Sequence, residues 1–136
     1  MLVNDIMHNA TKLPSDTTVS EAAAMMEQKS IGSVLVEKNN KIIGIMTERD
    51  ILKKIVAKGE NSDVLRVKDI MSYPIITIDA NESVVKASEK MDQHRIRRLV
   101  VTKNGQIVGK VTANSISRSI KYLSVRESPV YTRPEY

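Results

Sequence analysis

Apolar residues along the chain recur with two spacings, and the same order of spacings occurs twice. Val19, Ala22, Ala23 and Met26 fall at i, i+3, i+4 and i+7, which is one face of an amphipathic helix. Thr18, with Glu21 three residues on, offers that helix a capping box. Two largely apolar stretches follow, Ser33 to Lys38 and Lys41 to Met46, joined at Asn39-Asn40 as a hairpin. A second helix starts after Thr47, carries Ile51, Leu52, Ile55 and Val56, and ends near Gly59, a residue suited to a helix C-terminus. Val84, Ala87 and Met91 repeat the first stripe, Asn104-Gly105 repeats the turn, and Ile116, Ile120 and Leu123 repeat the second helix. An extended piece precedes each first helix, at Thr11 to Pro14 and at Ile75 to Ile78.

The repetition extends to residue identity. Val3-Asn4-Asp5-Ile6-Met7 returns as Val67-Lys68-Asp69-Ile70-Met71, and Val36, Gly44, Thr47 and Ile51 return as Val101, Gly109, Thr112 and Ile116. The offset is 64 residues at the start and 65 afterwards. The chain is therefore a tandem duplication of a unit of roughly 60 residues. Its expected division is 1–59, a connector at 60–65, and 66–123. A tail from Ser124 to Tyr136, with prolines and no periodicity, is expected to be extended or disordered. Each unit predicts an α+β fold with a three-stranded sheet and two main helices. A sheet that small leaves one face in need of a neighbour, so the two copies are expected to pack sheet to sheet about a pseudo-twofold axis. Clefts between such units are where small ligands bind.

Composition narrows the chemistry. With 136 residues, 41% apolar but only 3% aromatic, Ile, Val, Leu and the seven methionines must fill the core. The absence of cysteine removes disulfides, thiolate nucleophiles and Cys-ligated zinc. No signal sequence is visible, and no apolar run approaches the roughly 20 residues of a membrane span. A soluble cytoplasmic protein with no membrane contact is the expectation. The formal charge of +5 is scattered among acids except at His94-Arg95-Ile96-Arg97-Arg98, a focused cationic run.

Two features carry candidate chemistry. Thr47 with Asp50 forms a hydroxyl–carboxylate pair at a helix start, suited to capping and equally to an anion or sugar. The arginine run presents guanidinium groups that match phosphate geometry. The chain has no Gly-x-x-x-x-Gly-Lys loop, no His-Glu-x-x-His and no nucleophile obvious for either histidine, so an enzyme is not expected. No metal ligand set and no cofactor are expected. Nucleic acid is disfavoured because Phe and Trp are absent. His8 reads as a surface or packing residue.

The whole pattern over residues 1 to 123 resembles a pair of CBS domains, a Bateman module. Its most specific marks are Gly44-Ile-Met-Thr47-Glu-Arg-Asp50-Ile51 and Ile96-Arg97-Arg98-Leu99-Val100-Val101 before a hairpin turn. The resemblance implies regulatory binding of AMP, ADP or ATP in the clefts between repeats, without turnover. Asp50 and Thr47 would meet the ribose, and His94, Arg95, Arg97, Arg98 and Arg49 the phosphates. Ile75, Ile76 and Thr77 would line the adenine. S-adenosylmethionine is disfavoured, because its sulfonium would face the cationic run. The resemblance also implies a homodimer and a regulated protein partner that the sequence does not identify.

The second copy departs from the signature. Gly109-Lys-Val-Thr112-Ala-Asn-Ser115 has serine where the first has Asp50. Its site, formed by Thr112 and Ser115 with Lys12, Leu13, Lys29 and Ser30, is expected to be weak or empty. Since Thr112 keeps the cap without an acid, the Asp50 carboxylate is expected to be spare for ribose. A dimeric interaction scaffold with weak or lost nucleotide binding is the alternative function.

Overall fold

A computed structural model describes residues 1–127, with side chains through 121. The first compact unit spans residues 10–75. Its sheet orders β1 (Lys12–Pro14), β2 (Ser33–Lys38) and β3 (Lys41–Thr47) side by side, with β1 parallel and β3 antiparallel to β2. The extended piece before the first helix is thus the third strand. Asn39 and Asn40 both take left-handed backbone, φ 52° and 62°, which gives a hairpin turn the twist of its flanking strands. Helix α1 (Val19–Lys29) starts as expected, Thr18 Oγ1 accepting from Glu21 N at 3.1 Å. Helix α2 (Glu48–Ile51) continues into a π-helical turn over Leu52–Val56, and Gly59 at φ 65° follows it. A short helix α3 (Val67–Ile70) completes the unit.

The second unit repeats this arrangement. It joins residues 1–9 to the chain from residue 76 onward. Strands β4 (Thr77–Asp79), β5 (Arg98–Lys103) and β6 (Gln106–Thr112) form its sheet, with α4 (Val84–His94) and α5 (Ala113–Glu127). The hairpin turn is left-handed at Asn104 and Gly105, φ 52° and 76°. Both hairpins shift register by one residue at the same point, between Val36 and Glu37 and between Val101 and Thr102.

Each core is built from one face of its sheet and the helical stripe. Val34, Val36 and Met46 meet Val19, Ala22, Met26 and Ile55 in the first; Leu99, Val101 and Val111 meet Val84, Ala87, Met91 and Ile116 in the second. Buried Met26, Met46 and Met91 fill space, as their stripes predict.

The compact units cut the chain differently from the repeat boundaries 1–59, 60–65 and 66–123. Val3, in a 3-10 turn over Val3–Asp5, is buried in the second core, and Val3 N and Asn4 N donate to Glu82 O and Ala80 O at 2.9 Å. Val67 and Ile70 are buried in the first core, with Val67 N donating to Thr17 O at 2.8 Å. The opening piece of each repeat therefore completes the core of the other repeat's sheet. The connector is also held: Val19 N donates to Leu65 O and Ser20 N to Ser62 O. The expected extended tail is corrected at its start, since α5 runs through Glu127; the rest of that expectation lies outside the described residues.

Candidate functional site

The first unit's site is built where β3 becomes α2. Thr47 is extended at φ −116°, ψ 166°, and its Oγ1 accepts from Asp50 N at 3.3 Å. Asp50 Oδ2 accepts in return from Thr47 N at 3.0 Å and from Thr47 Oγ1 at 3.2 Å. The expectation that the carboxylate is spare is corrected here: it completes the capping box.

The other carboxylate oxygen is engaged by residues the sequence did not single out. Asp50 Oδ1 accepts from Ser72 Oγ at 2.9 Å and pairs with Lys54 Nζ at 3.1 Å. Lys54 Nζ also donates to Ile70 O at 2.7 Å. These contacts keep a carboxylate that is only 6% exposed satisfied. Ser72 is placed by its backbone, with Ile45 N donating to Ser72 O at 3.0 Å and Ser72 N to Ile45 O at 2.8 Å. Gly44 permits that approach. A Cβ there would lie 2.5 Å from Met71 Sδ and 2.9 Å from Ser72 O.

The second unit has the same backbone frame and different chemistry. Ser115 N donates to Thr112 Oγ1 at 3.1 Å, and the two hydroxyl oxygens are 2.8 Å apart. His8 stands where Ser72 stands in the first unit. Its N donates to Lys110 O at 2.8 Å, and Lys110 N donates to His8 O at 2.9 Å. His8 is exposed, in keeping with the surface reading of the sequence, and its ring Nε2 lies 2.9 Å from Ser115 Oγ. Gly109 permits the approach as Gly44 does, a Cβ there lying 2.5 Å from His8 O. Lys110, which replaces Ile45, is only 9% exposed. Burial holds its ammonium pKa below the ordinary lysine value, and the nearby Arg98 charge adds to that.

The remaining candidates divide between the units. Arg49 is exposed on α2. His94 ends α4 and is exposed, and Arg95 terminates that helix in left-handed conformation at φ 54°. Arg97 is exposed and its carbonyl accepts from Ala113 N at 2.9 Å; Arg98 opens β5 opposite Thr112. The cationic run thus adjoins the Thr112–Ser115 signature of its own unit. Ile76 packs against the second core, its carbonyl accepting from Val100 N, and Thr77 opens β4. Ile75 is half-buried and ends the first unit.

Of the second-site residues, Lys12 pairs with Glu37 at 2.9 Å and Leu13 packs against the first core. Lys29 ends α1, and Ser30 closes it at φ 53° as Arg95 closes α4. Among the described residues, no group of three or more histidine or acidic side chains is placed to hold a metal. No described helix is long and apolar enough to cross a membrane.

The CBS domain family model matches residues 3–57 and 67–122. An uncharacterized protein of Methanopyrus kandleri is 41% identical over 115 residues, covering 83% of this chain and 58% of that protein. The mitochondrial CBS domain-containing protein CBSX3 of Arabidopsis thaliana is 33% identical over 111 residues, covering 78% of this chain and 54% of that protein. The chain therefore spans little more than half the length of these two relatives. The hexameric CBS-CP12 protein from bloom-forming cyanobacteria superposes with a TM-score of 0.83 at 25% identity, over 95% of this chain and 76% of that one.

Proposed function

The chain belongs to the CBS-domain family, and from that premise we propose that it is a regulatory module binding an adenine nucleotide. The observation that carries the reading is the Asp50 carboxylate. Thr47 fixes Oδ2, while Oδ1 meets Ser72 Oγ and Lys54 Nζ. Both partners sit on rotatable bonds, so vicinal ribose hydroxyls can take their place. Thr47 and Asp50 hold the ribose; His94, Arg95, Arg97, Arg98 and Arg49 supply charge for phosphate; Ile75, Ile76 and Thr77 supply apolar and backbone contacts for adenine. AMP, ADP and ATP all carry these groups, and the module senses them without turnover.

Calorimetry with AMP and adenosine tests this. Each charge-assisted hydrogen bond contributes about 1.5–3 kcal/mol before desolvation, so adenosine should bind at least about tenfold more weakly. Equal affinities would remove the phosphate role of the arginines. Absence of any binding would remove the reading altogether.

A second reading, a self-associating interaction scaffold, is favoured by one observation. Leu52 and Val56 on the π-helical turn are 61% and 66% exposed, large apolar side chains at positions a solvated helix would make polar. A homodimer covering them is checked by sedimentation of the wild type and of Leu52→Glu. An unchanged monomeric mass in both would exclude it.

A further inference from the structure

The Asp50 carboxylate is already fully engaged. Oδ2 accepts from Thr47 N and Thr47 Oγ1, while Oδ1 accepts from Ser72 Oγ at 2.9 Å and pairs with Lys54 Nζ at 3.1 Å. A carboxylate offers about four lone-pair positions, so a diol arriving there displaces donors already present. The Thr47 pair is held by the helix cap, which leaves Ser72 and Lys54 as the groups that yield. Ser72 is exposed, and its hydroxyl can turn to water. Lys54 is tied to a second element.

Lys54 lies at the middle of the π-helical turn Leu52–Val56, where Ala57 N donates to Leu52 O at 2.9 Å. Its ammonium also donates to Ile70 O at 2.7 Å, at the end of α3. Two anchors, Asp50 one turn earlier and Ile70 on a neighbouring helix, therefore hold this turn about its axis. Leu52 and Val56 place its apolar side chains at the surface.

The other repeat has the same element without the anchors. Ser115, Ser119, Ser117 and Lys121 stand at the positions of Asp50, Lys54, Leu52 and Val56. Ser119 Oγ donates back to Ser115 O at 2.9 Å, and α5 is α-helical from Ala113 to Glu127. Carboxylate, lysine and π-helical turn thus occur together in one unit and are replaced together in the other. Such turns are rare in α-helices and gather at functional positions.

We propose that Lys54 is a positioning residue that relays occupancy of Asp50 to the π-helical turn. Ribose hydroxyls take the ammonium's place on Oδ1, and Lys54 keeps Ile70 O and water. The turn then relaxes to the α-helical pairing seen in α5, Ala57 N passing from Leu52 O to Lys53 O. That shift changes the alignment of Val56 with Leu52 at the surface. A ligand moves such an equilibrium only by competing with a contact that one state alone contains, and Lys54–Asp50 is that contact. The inference deepens the nucleotide reading and rests on it, because the ribose is the displacing group.

Amide NMR of the full chain titrated with AMP, with affinities taken from calorimetry, tests it. The Ala57 amide should shift saturably, with the calorimetric affinity. Saturating 2′,3′-dideoxy-AMP, which lacks both hydroxyls, should leave that amide in place. In Lys54→Met AMP should still bind, but the Ala57 amide should no longer respond; Lys54→Arg should restore the response. Lys53→Met, which removes the neighbouring exposed charge, should respond as the wild type does. An Ala57 amide that bound AMP leaves unmoved, or that moves equally in Lys54→Met or with dideoxy-AMP, overturns the relay and leaves the nucleotide reading standing. Absence of AMP binding to the wild type overturns both.

Discussion

Ser72 Oγ donates to the buried Asp50 carboxylate across 2.9 Å, joining the last turn of one repeat's opening piece to the signature residue of the other repeat. His8 and Ser115 make the corresponding contact at the same distance. The segment exchange that completes each core therefore also completes each signature turn, so stability and the proposed ligand recognition are coupled through these pairs.

That coupling predicts a double loss for Asp50→Ala. Removing the carboxylate breaks the reciprocal half of the cap and leaves Ser72 Oγ and Lys54 Nζ without their acceptor. A destabilisation of about 1–3 kcal/mol is expected by chemical denaturation. Nucleotide affinity should fall at least tenfold under conditions where the variant remains folded. Unchanged affinity in a folded Asp50→Ala would show that the ribose lies elsewhere.

The close approach at the two glycines predicts different severities. Gly44→Ala meets Met71 Sδ first, the flexible end of a side chain, and then Ser72 O at 2.9 Å. Gly109→Ala meets His8 O at 2.5 Å, which is backbone held by two hydrogen bonds. Both should destabilise, Gly44→Ala by about 1–3 kcal/mol and Gly109→Ala by more. Thermal melts of the two variants check the order; a milder Gly109→Ala would mean that residues 1–9 detach easily.

Much of this architecture was legible in the sequence, and the reason is local. The helical stripes, the two-residue turns and the caps at Thr18 and Thr47 are set by residues within a few positions of one another. Segment exchange is not local. Val3 and Val67 look alike in the repeat, and a repeat identifies corresponding residues without saying which copy they pack against. The carboxylate seemed spare because the second copy caps with Thr112 and no acid, yet Asp50 completes its own box with Thr47; its further partner Ser72 is 22 residues away, and the His8–Ser115 pair is separated by 107. The placement of Arg98 beside Thr112 follows from the β5–β6 register, which the Asn104-Gly105 turn does announce.

Capping should be separable from ligand chemistry at the threonines. Thr112→Ala removes the acceptor of Ser115 N and a hydroxyl partner of Ser115, while Thr47→Ala removes the acceptor of Asp50 N. Each should cost about 1 kcal/mol. Only Thr47→Ala should also weaken adenosine, because adenosine carries the ribose and no phosphate. Equal loss of adenosine affinity in both variants would put ribose contacts on both signatures.

Lys110 makes a prediction about pH whose sign is fixed. Burial and the Arg98 charge lower its pKa in the folded chain, so the unfolded chain holds this proton more tightly. Between the lowered folded pKa and the ordinary lysine value, unfolding takes up a proton, and stability rises with pH through that window. Below the window the full cost of the charged lysine is present. Lys110→Met removes this titration, so the difference in Tm between the two chains should move in the wild type's favour as pH climbs toward the lysine range. Differential scanning calorimetry of both chains across that range checks it. A difference in Tm that does not change with pH would show instead that the fold leaves the affinity of Lys110 for its proton unaltered.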